Sequence, residues 1–409
     1  MTTTRNTARG RAVATVLALA LALPLAAASG ALAAPRAADR TTTADAPVTR
    51  PELPRPTGKY AVGRDTLHLV DKSRKDLWDP SKPRELMASM YYPARGEGGH
   101  ATAYTSLKAA RALIAHYDLA VPPAAYSSTR TYARAGAPAA RGRFPLVLLS
   151  PGFTAPRSTL THLAEDLASR GYVVATVDHA HEAAGAEFEG GRVPPCLGCD
   201  PNTNVPGPRI TENRAQDLSY VLDRLVGSKA DKADKPGGSG SPGQAAGSAW
   251  RHAKMIDPER IGSGGHSIGG AATIALMNTD RRVRAGMNMD GGIQIKPEGL
   301  RGRPFLMLGT QQTTQPDDPY DWAGAWPLMD GWKRWLAVAG SGHFTFTDAP
   351  VVLQQLGDVD PDAPISGKRA AEITRAYIAA FYDQHLRGIE RPLLNGPTPG
   401  NPEVSFHQP

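Results

Sequence analysis

Several short runs in the chain are apolar almost without interruption, among them "FPLVLLSPG" (144–152), "YVVATVDH" (172–179), "VRAGMNMDG" (283–291) and "RPFLMLGT" (303–310). A strand with one face in water alternates polar and apolar residues, so continuous runs of this length read as strands covered on both faces. Helical spacing lies between and after them. Leu160, Leu163, Ala164 and Leu167 form one stripe, and Leu218, Val221, Leu222 and Leu225 a second. A third runs through Ile373, Ala376, Tyr377, Ala380 and Phe381 before Gly388. This alternation predicts an α/β fold with a mostly parallel central sheet and helices on both faces. The runs "DTLHLVD" (65–71), "RELMASMYYP" (84–93), "RIGSGG" (260–265) and "WKRWLAVAG" (332–340) extend the sheet.

The ends of the chain read differently. In residues 1–33, Arg5, Arg9 and Arg11 precede the apolar run "AVATVLALALALPLAAA" and the small residues "ALAA". That is the layout of a secretory signal peptide cleaved after Ala33, and Pro24 leaves the apolar run too short for a membrane span. A secreted protein is therefore expected. Residues 34–58, rich in Pro and Thr without apolar periodicity, read as a disordered lead-in to a folded α/β domain over 59–390. Within that domain, 227–250 has the Gly, Ser, Lys and Asp content of a flexible insertion, and 391–409 is a C-terminal tail. Lys and Arg number 46 against 39 Asp and Glu, and losing the three signal arginines narrows that excess to four, so nucleic acid is not an expected partner. Cys196 and Cys199 are the two cysteines, and in an exported chain their spacing predicts a local disulfide. A structural zinc site would need a second ligand pair, for which only "DHAHE" (178–182) stands out, so no metal or other cofactor is expected.

The chemistry centres on "RIGSGGHSIGGAATIALM" (260–277), where Gly265-His266-Ser267-Ile268-Gly269 fits G-x-S-x-G between a strand-like run and a small-residue helix. In that motif the serine sits on a sharp strand-to-helix turn, and the glycines make room for it. The alternative is a glycine-rich turn whose serine caps the helix. A serine nucleophile needs an imidazole to take its proton and a carboxylate to orient the imidazole, and on this fold they follow in the order Ser, acid, His at later strand ends. Asp290 and His343 occupy such positions. Asp317, Asp318, Asp321 and Asp330 compete as acids from a polar-aromatic loop, and His385 and His407 compete as bases from a helix and the tail. His266 reads as a packing or polar-support residue. The oxyanion needs two backbone N–H groups, one after the nucleophile and one in the loop after an earlier central strand. Ile268 and Phe153, the latter in "LLSPGFTAP", take those places.

These residues carry a family resemblance. "LHLVDKSRKDLW", "RELMASMYYPA", "LLSPGF", "VVATVDHAHEA" and "DPERIGSGGHSIGG" resemble segments of platelet-activating factor acetylhydrolase-like serine esterases, over most of 59–387. The resemblance implies an α/β-hydrolase fold and metal-free hydrolysis of short-chain or phospholipid-type acyl esters. It further implies Ser267, Asp290 and His343 as triad, with Phe153 and Ile268 as oxyanion donors. "SPGFTA" and "SGHF" are also similar to actinobacterial lipases and polyester-degrading cutinases, which keeps a lipase or polyesterase as an alternative. A non-catalytic binding protein of the same fold would be marked by loss of a triad residue, and none is lost. In "QQTTQPDDPYDWAGAWPLMDG" (311–331), Trp322 and Trp326 follow a strand end, where ligands of open α/β sheets bind. They read either as lining the substrate entrance and touching a lipid surface, or as packing onto the sheet.

Overall fold

The computed structural model describes residues 50–96, 98–228, 248–315 and 319–408, and in it eleven strands join in one sheet. They are β1 (Ala61–Lys75), β2 (Pro83–Ala94), β3 (His100–Ala101), β4 (Arg134–Ala135), β5 (Phe144–Ser150), β6 (Val173–His179), β7 (Ile256–His266), β8 (Val283–Met289), β9 (Phe305–Thr310), β10 (Lys333–Val338) and β11 (Val404–His407). Their spatial order is β11-β10-β9-β8-β7-β5-β6-β2-β1-β4-β3. From β6 to β10 every neighbouring pair is parallel. The β1–β2 hairpin joins β6 antiparallel, and β11 joins β10 antiparallel. This is the arrangement of an α/β-hydrolase.

The apolar runs are buried as their composition requires, every residue of β5 and β6 included. The Gly207–Val226 and Ile268–Thr279 helices cover one face through Leu218, Leu222, Ile274 and Met277. The Thr161–Ser169 and Gly367–Arg387 helices cover the other through Leu163, Leu167, Tyr377 and Phe381. After β5 the chain crosses to β6 on one side, and β7 then returns to the other side of β5. The strand order thus reverses between β5 and β7, and the loops leaving their C-terminal ends open a crevice.

Three expected boundaries move. Residues 50–58 are not a disordered lead-in. Leu53 is buried and donates its N–H to Arg130 O at 3.0 Å, while Thr57 places its N–H and Oγ1 on Asp166 Oδ1 at 2.9 and 2.8 Å. These partners lie far along the chain, beyond the reach of local periodicity. The expected insertion ends early, since Trp250 is buried and donates Nε1–H to Asp65 Oδ2 at 2.8 Å. The tail contributes β11 and the buried Leu394. The expected signal peptide, residues 34–49 of the lead-in, and 229–247 lie outside the described residues. Among the described residues no helix is long and apolar enough to cross a membrane.

One acid inside the fold sets a pH response. Glu165 is buried and accepts from the N–H groups of Tyr132 and Ala133 at 2.9 and 2.6 Å through Oε1, while Oε2 has no hydrogen-bond partner among the described residues. Burial pushes its carboxyl up to about 7 from an ordinary 4.5. A folded-state pKa above the unfolded one means the folded protein holds this proton more tightly, so the stability it contributes is complete below 4.5 and is lost as pH rises through about 7. Glu165→Gln should flatten that decline, as measured by urea midpoints between about pH 5 and 8. A variant that loses stability over this range as steeply as the parent would contradict the assignment.

Candidate active site

The turn after β7 is built by close backbone approach. Ser267 has φ 55° and ψ −128°, a conformation an L-residue rarely adopts. Its surroundings leave little choice. A Cβ at Gly265 would lie 2.3 Å from Ser150 O, and one at Gly269 2.0 Å from the same atom. Ser267 N–H donates to Met289 O at 2.8 Å, and Ser267 O accepts from Gly270 and Ala271. The side chain makes no capping hydrogen bond to the helix it precedes and remains partly exposed. The cap reading of Ser267 therefore has no support in its contacts.

Asp290 follows β8, also at positive φ (51°). Its Oδ1 accepts from Thr310 N–H at 2.8 Å, and its Oδ2 lies 2.7 Å from His343 Nδ1. The carboxylate is buried, whereas the imidazole is about a third exposed. A carboxylate at Nδ1 fixes the proton there and leaves Nε2 as the basic nitrogen. Asn288 braces the turn, exchanging hydrogen bonds with Gly291 N–H and C=O at 2.9 and 2.8 Å.

His266, buried beside Ser267, stacks at 4.6 Å on His343 and places Nε2 2.7 Å from His343 O. Since a carbonyl only accepts, Nε2 carries the proton. Burial and then the neighbouring His343 push this imidazole down to about 3, so it is a neutral donor steadying the loop of the other histidine. The competing groups are elsewhere. His385 packs tilted on Trp332, His407 edge-on against Trp335, and Asp321 pairs with Lys296; Asp330 is exposed, and Asp317 and Asp318 lie outside the described residues.

The loop after β5 lies directly against the elbow, for a Cβ at Gly152 would come within 3.4 Å of Ser267 Cβ. Among the described residues, no hydrogen bond occupies the N–H of Phe153 or of Ile268. The Phe153 ring packs on Trp78 at 5.8 Å and against Gly198, in the turn closed by the Cys196–Cys199 disulfide.

Behind this loop lies a buried polar network. Arg84 bonds Asp76, Glu182 and Asp217; His179 joins Asp217 to Ser150; and Arg214 joins Glu182 to the loop backbone. The "DHAHE" donors are thereby engaged, Asp178 with Arg157 and His181 with Pro195 O completing the set. No metal-holding group of His, Cys, Asp and Glu occurs among the described residues. Ser150, His179 and Asp217 repeat the Ser-His-Asp pattern at 2.9 and 2.7 Å but are buried away from any substrate. Arg214 stands four positions before Leu218 on the helix's apolar stripe, a placement that foretells a buried, paired cation.

Trp322 is not at an entrance. It is buried, packs edge-on against Trp335 and donates Nε1–H to Gly291 O at 2.7 Å, because "DWAGAW" folds as a single helical turn laid on the sheet. Trp326 is half-buried between Trp335 and the Lys333 ammonium. A different cavity, of about 230 Å³, lies between the Leu107–His116 and Ala349–Gln355 helices, lined by Leu113, Tyr117, Leu119, Ala155, Phe344 and Leu353. It begins one residue from His343.

Residues 48–189 match the family model described as platelet-activating factor acetylhydrolase, isoform II. The probable 1-alkyl-2-acetylglycerophosphocholine esterase of Arthroderma benhamiae is 28% identical, with 87% of this chain and 93% of that protein covered. The platelet-activating factor acetylhydrolase of Canis lupus familiaris is 22% identical over 84% of this chain and 79% of its own length. The solved structure of a ferulic acid esterase from Streptomyces cinnamoneus is 40% identical and superposes with a TM-score of 0.75, covering 88% of this chain and 99% of that one.

Trp322→Ala should behave as a core deletion, costing about 3–5 kcal/mol of stability. Activity should fall in equal proportion on a small soluble ester and a long-chain ester. A rise in KM confined to the long-chain ester, at unchanged melting temperature, would return Trp322 to the entrance.

Proposed function

We propose, from the premise that this chain belongs to the platelet-activating factor acetylhydrolase-like family of α/β-hydrolase esterases, that its ester hydrolysis runs through an acyl enzyme on Ser267. The observation that carries the reading is the 2.7 Å contact of Asp290 Oδ2 with His343 Nδ1 beside a serine held at positive φ. His343 Nε2 takes the Oγ proton as Oγ attacks the ester carbonyl, and the N–H groups of Phe153 and Ile268 hold the oxyanion. The tetrahedral species collapses, the imidazolium returns its proton to the departing alcohol, and water repeats the sequence on the acyl-serine.

The preferred substrate is an ester with a short acyl group on an amphiphilic alcohol of the phospholipid type. The named substrates of the fungal and canine relatives support this, as does the apolar cavity beside His343, with Phe344 two-fifths exposed at its edge. A second reading, hydrolysis of esters of a hydroxycinnamic acid, is favoured by the 40% identity to the ferulic acid esterase and by the Phe153–Trp78 pair as an aromatic wall. Export is supported by the basic-apolar-small layout of residues 1–33 and by the disulfide.

Ser267→Ala and His343→Ala should each lower kcat by about 10⁴-fold or more with the fold retained, and Asp290→Asn by a comparable factor through the wrong tautomer. Wild-type turnover in Asp290→Asn would relocate the acid. A fluorophosphonate should label the parent and not Ser267→Ala. With a 1-alkyl-2-acetylglycerophosphocholine, methyl ferulate, p-nitrophenyl acetate and a long-chain triacylglycerol compared side by side, the acetyl phospholipid should give the highest kcat/KM of the natural esters. Preference for methyl ferulate would establish the second reading. EDTA should leave all rates unchanged, and loss restored by zinc would sink the metal-free mechanism.

A further inference from the structure

The side chain that reaches the oxyanion loop from behind is Arg214, in the middle of the Gly207–Val226 helix and 1% exposed. Its Nη1 donates to Pro151 O at 2.5 Å and to Ser150 Oγ at 3.3 Å, and its Nη2 donates to Gly152 O at 3.4 Å. Its Nε donates to Glu182 Oε2 at 2.7 Å, and Glu182 Oε1 accepts from Arg84 at 2.7 Å. Burial alone would raise the Glu182 carboxyl, but Arg214 and Arg84 outweigh it and hold it ionised. The fork is therefore anchored at its base and spends its outer donors on consecutive backbone carbonyls.

The consequence follows from peptide geometry. Gly152 C=O and Phe153 N–H belong to one planar trans peptide and point in opposite directions. Holding that carbonyl toward the buried helix turns the amide toward the crevice at Ser267. A second tether runs through Ser150. Asp217 faces His179 Nδ1 at 2.7 Å, so that nitrogen carries the proton, Nε2 accepts from Ser150 Oγ–H, and Ser150 Oγ is left to accept from Arg214. Every donor in the chain from Arg214 through Ser150 and His179 to Asp217 points the same way.

We propose that Arg214 is a positioning residue for catalysis, aiming the Phe153 amide at the developing oxyanion through the carbonyls of Pro151 and Gly152. This rests on the Ser267 acyl-enzyme reading given above. Arg214 touches no reacting atom. Its effect belongs to kcat, because an oxyanion donor acts on the tetrahedral state and hardly on the planar ester.

The test removes the guanidinium without stranding a charge. In the double variant Arg214→Met/Glu182→Gln, kcat for p-nitrophenyl acetate should fall tenfold or more while KM stays within threefold. Affinity for an aryl trifluoromethyl ketone, whose adduct on the nucleophile carries an oxyanion, should fall by the same factor as kcat. A merely structural role would lower the melting temperature and leave kcat and ketone affinity per folded molecule unchanged, and that result overturns the proposal. If the double variant does not fold, Arg214→Lys carries the test, since it keeps the charge opposite Glu182 but cannot span the base and two carbonyls. The same tenfold loss supports the proposal, and wild-type kcat and ketone affinity overturn it. Ser267→Ala separates the two readings: if it retains turnover or ketone adduct, the acyl-enzyme assignment fails, whatever the Arg214 variants do.

Discussion

The backbone at Ser267 is the constraint around which the centre of the molecule is arranged. A positive φ at a non-glycine residue costs of order 1–3 kcal/mol and persists only where the surroundings over-determine it. Here they do so from three directions. Ser150 O presses on the positions of Gly265 and Gly269, Met289 O receives the Ser267 N–H, and the first turn of the following helix closes on Ser267 O. The elbow is thus held by β5 and β8, the strands flanking β7, and the strain is shared across the sheet. Asp290, which follows Met289 at the end of β8, pairs with His343, which follows β10, so the loop that receives the Ser267 N–H also holds one half of the Asp290–His343 pair.

A second feature is the depth of charge behind the site. Arg84, Arg214, Glu182 and Asp217 are all buried, and a cluster of this kind offers little net stability over well-packed apolar residues. It offers direction instead. In a low-dielectric interior each carboxylate demands its donors, and each guanidinium can satisfy them in few orientations. Losing one partner leaves an uncompensated charge, typically worth 3–5 kcal/mol, so the cluster resists the small rearrangements that a purely apolar support tolerates.

Much of this was legible in the chain. Continuous apolar runs and helical stripes gave the parallel layer because burial on both faces leaves a compositional mark. The sharp turn at Ser267 and the Asp290–His343 contact were legible because each of these residues follows a strand. Long-range polar pairing left no such mark. Arg214 and Glu182 are separated by 32 positions and Thr57 and Asp166 by 109, and no local pattern relates them. The two readings of Trp322 could not be separated for another reason. Pro, Asp and Gly around Trp322 fit an exposed loop and a tight turn equally, and only the structure shows the turn that packs the indole inward.

The strand Val404–His407 follows the other ten described strands in sequence yet pairs with four of the six residues of β10, from Trp335 to Val338. Without it, β10 would present a row of unpaired N–H and C=O groups beside Leu336 and Val338, the kind of edge on which a second chain can template itself. By pairing with that edge, these four residues remove a surface of the kind that favours intermolecular association, a contribution separate from anything at the crevice.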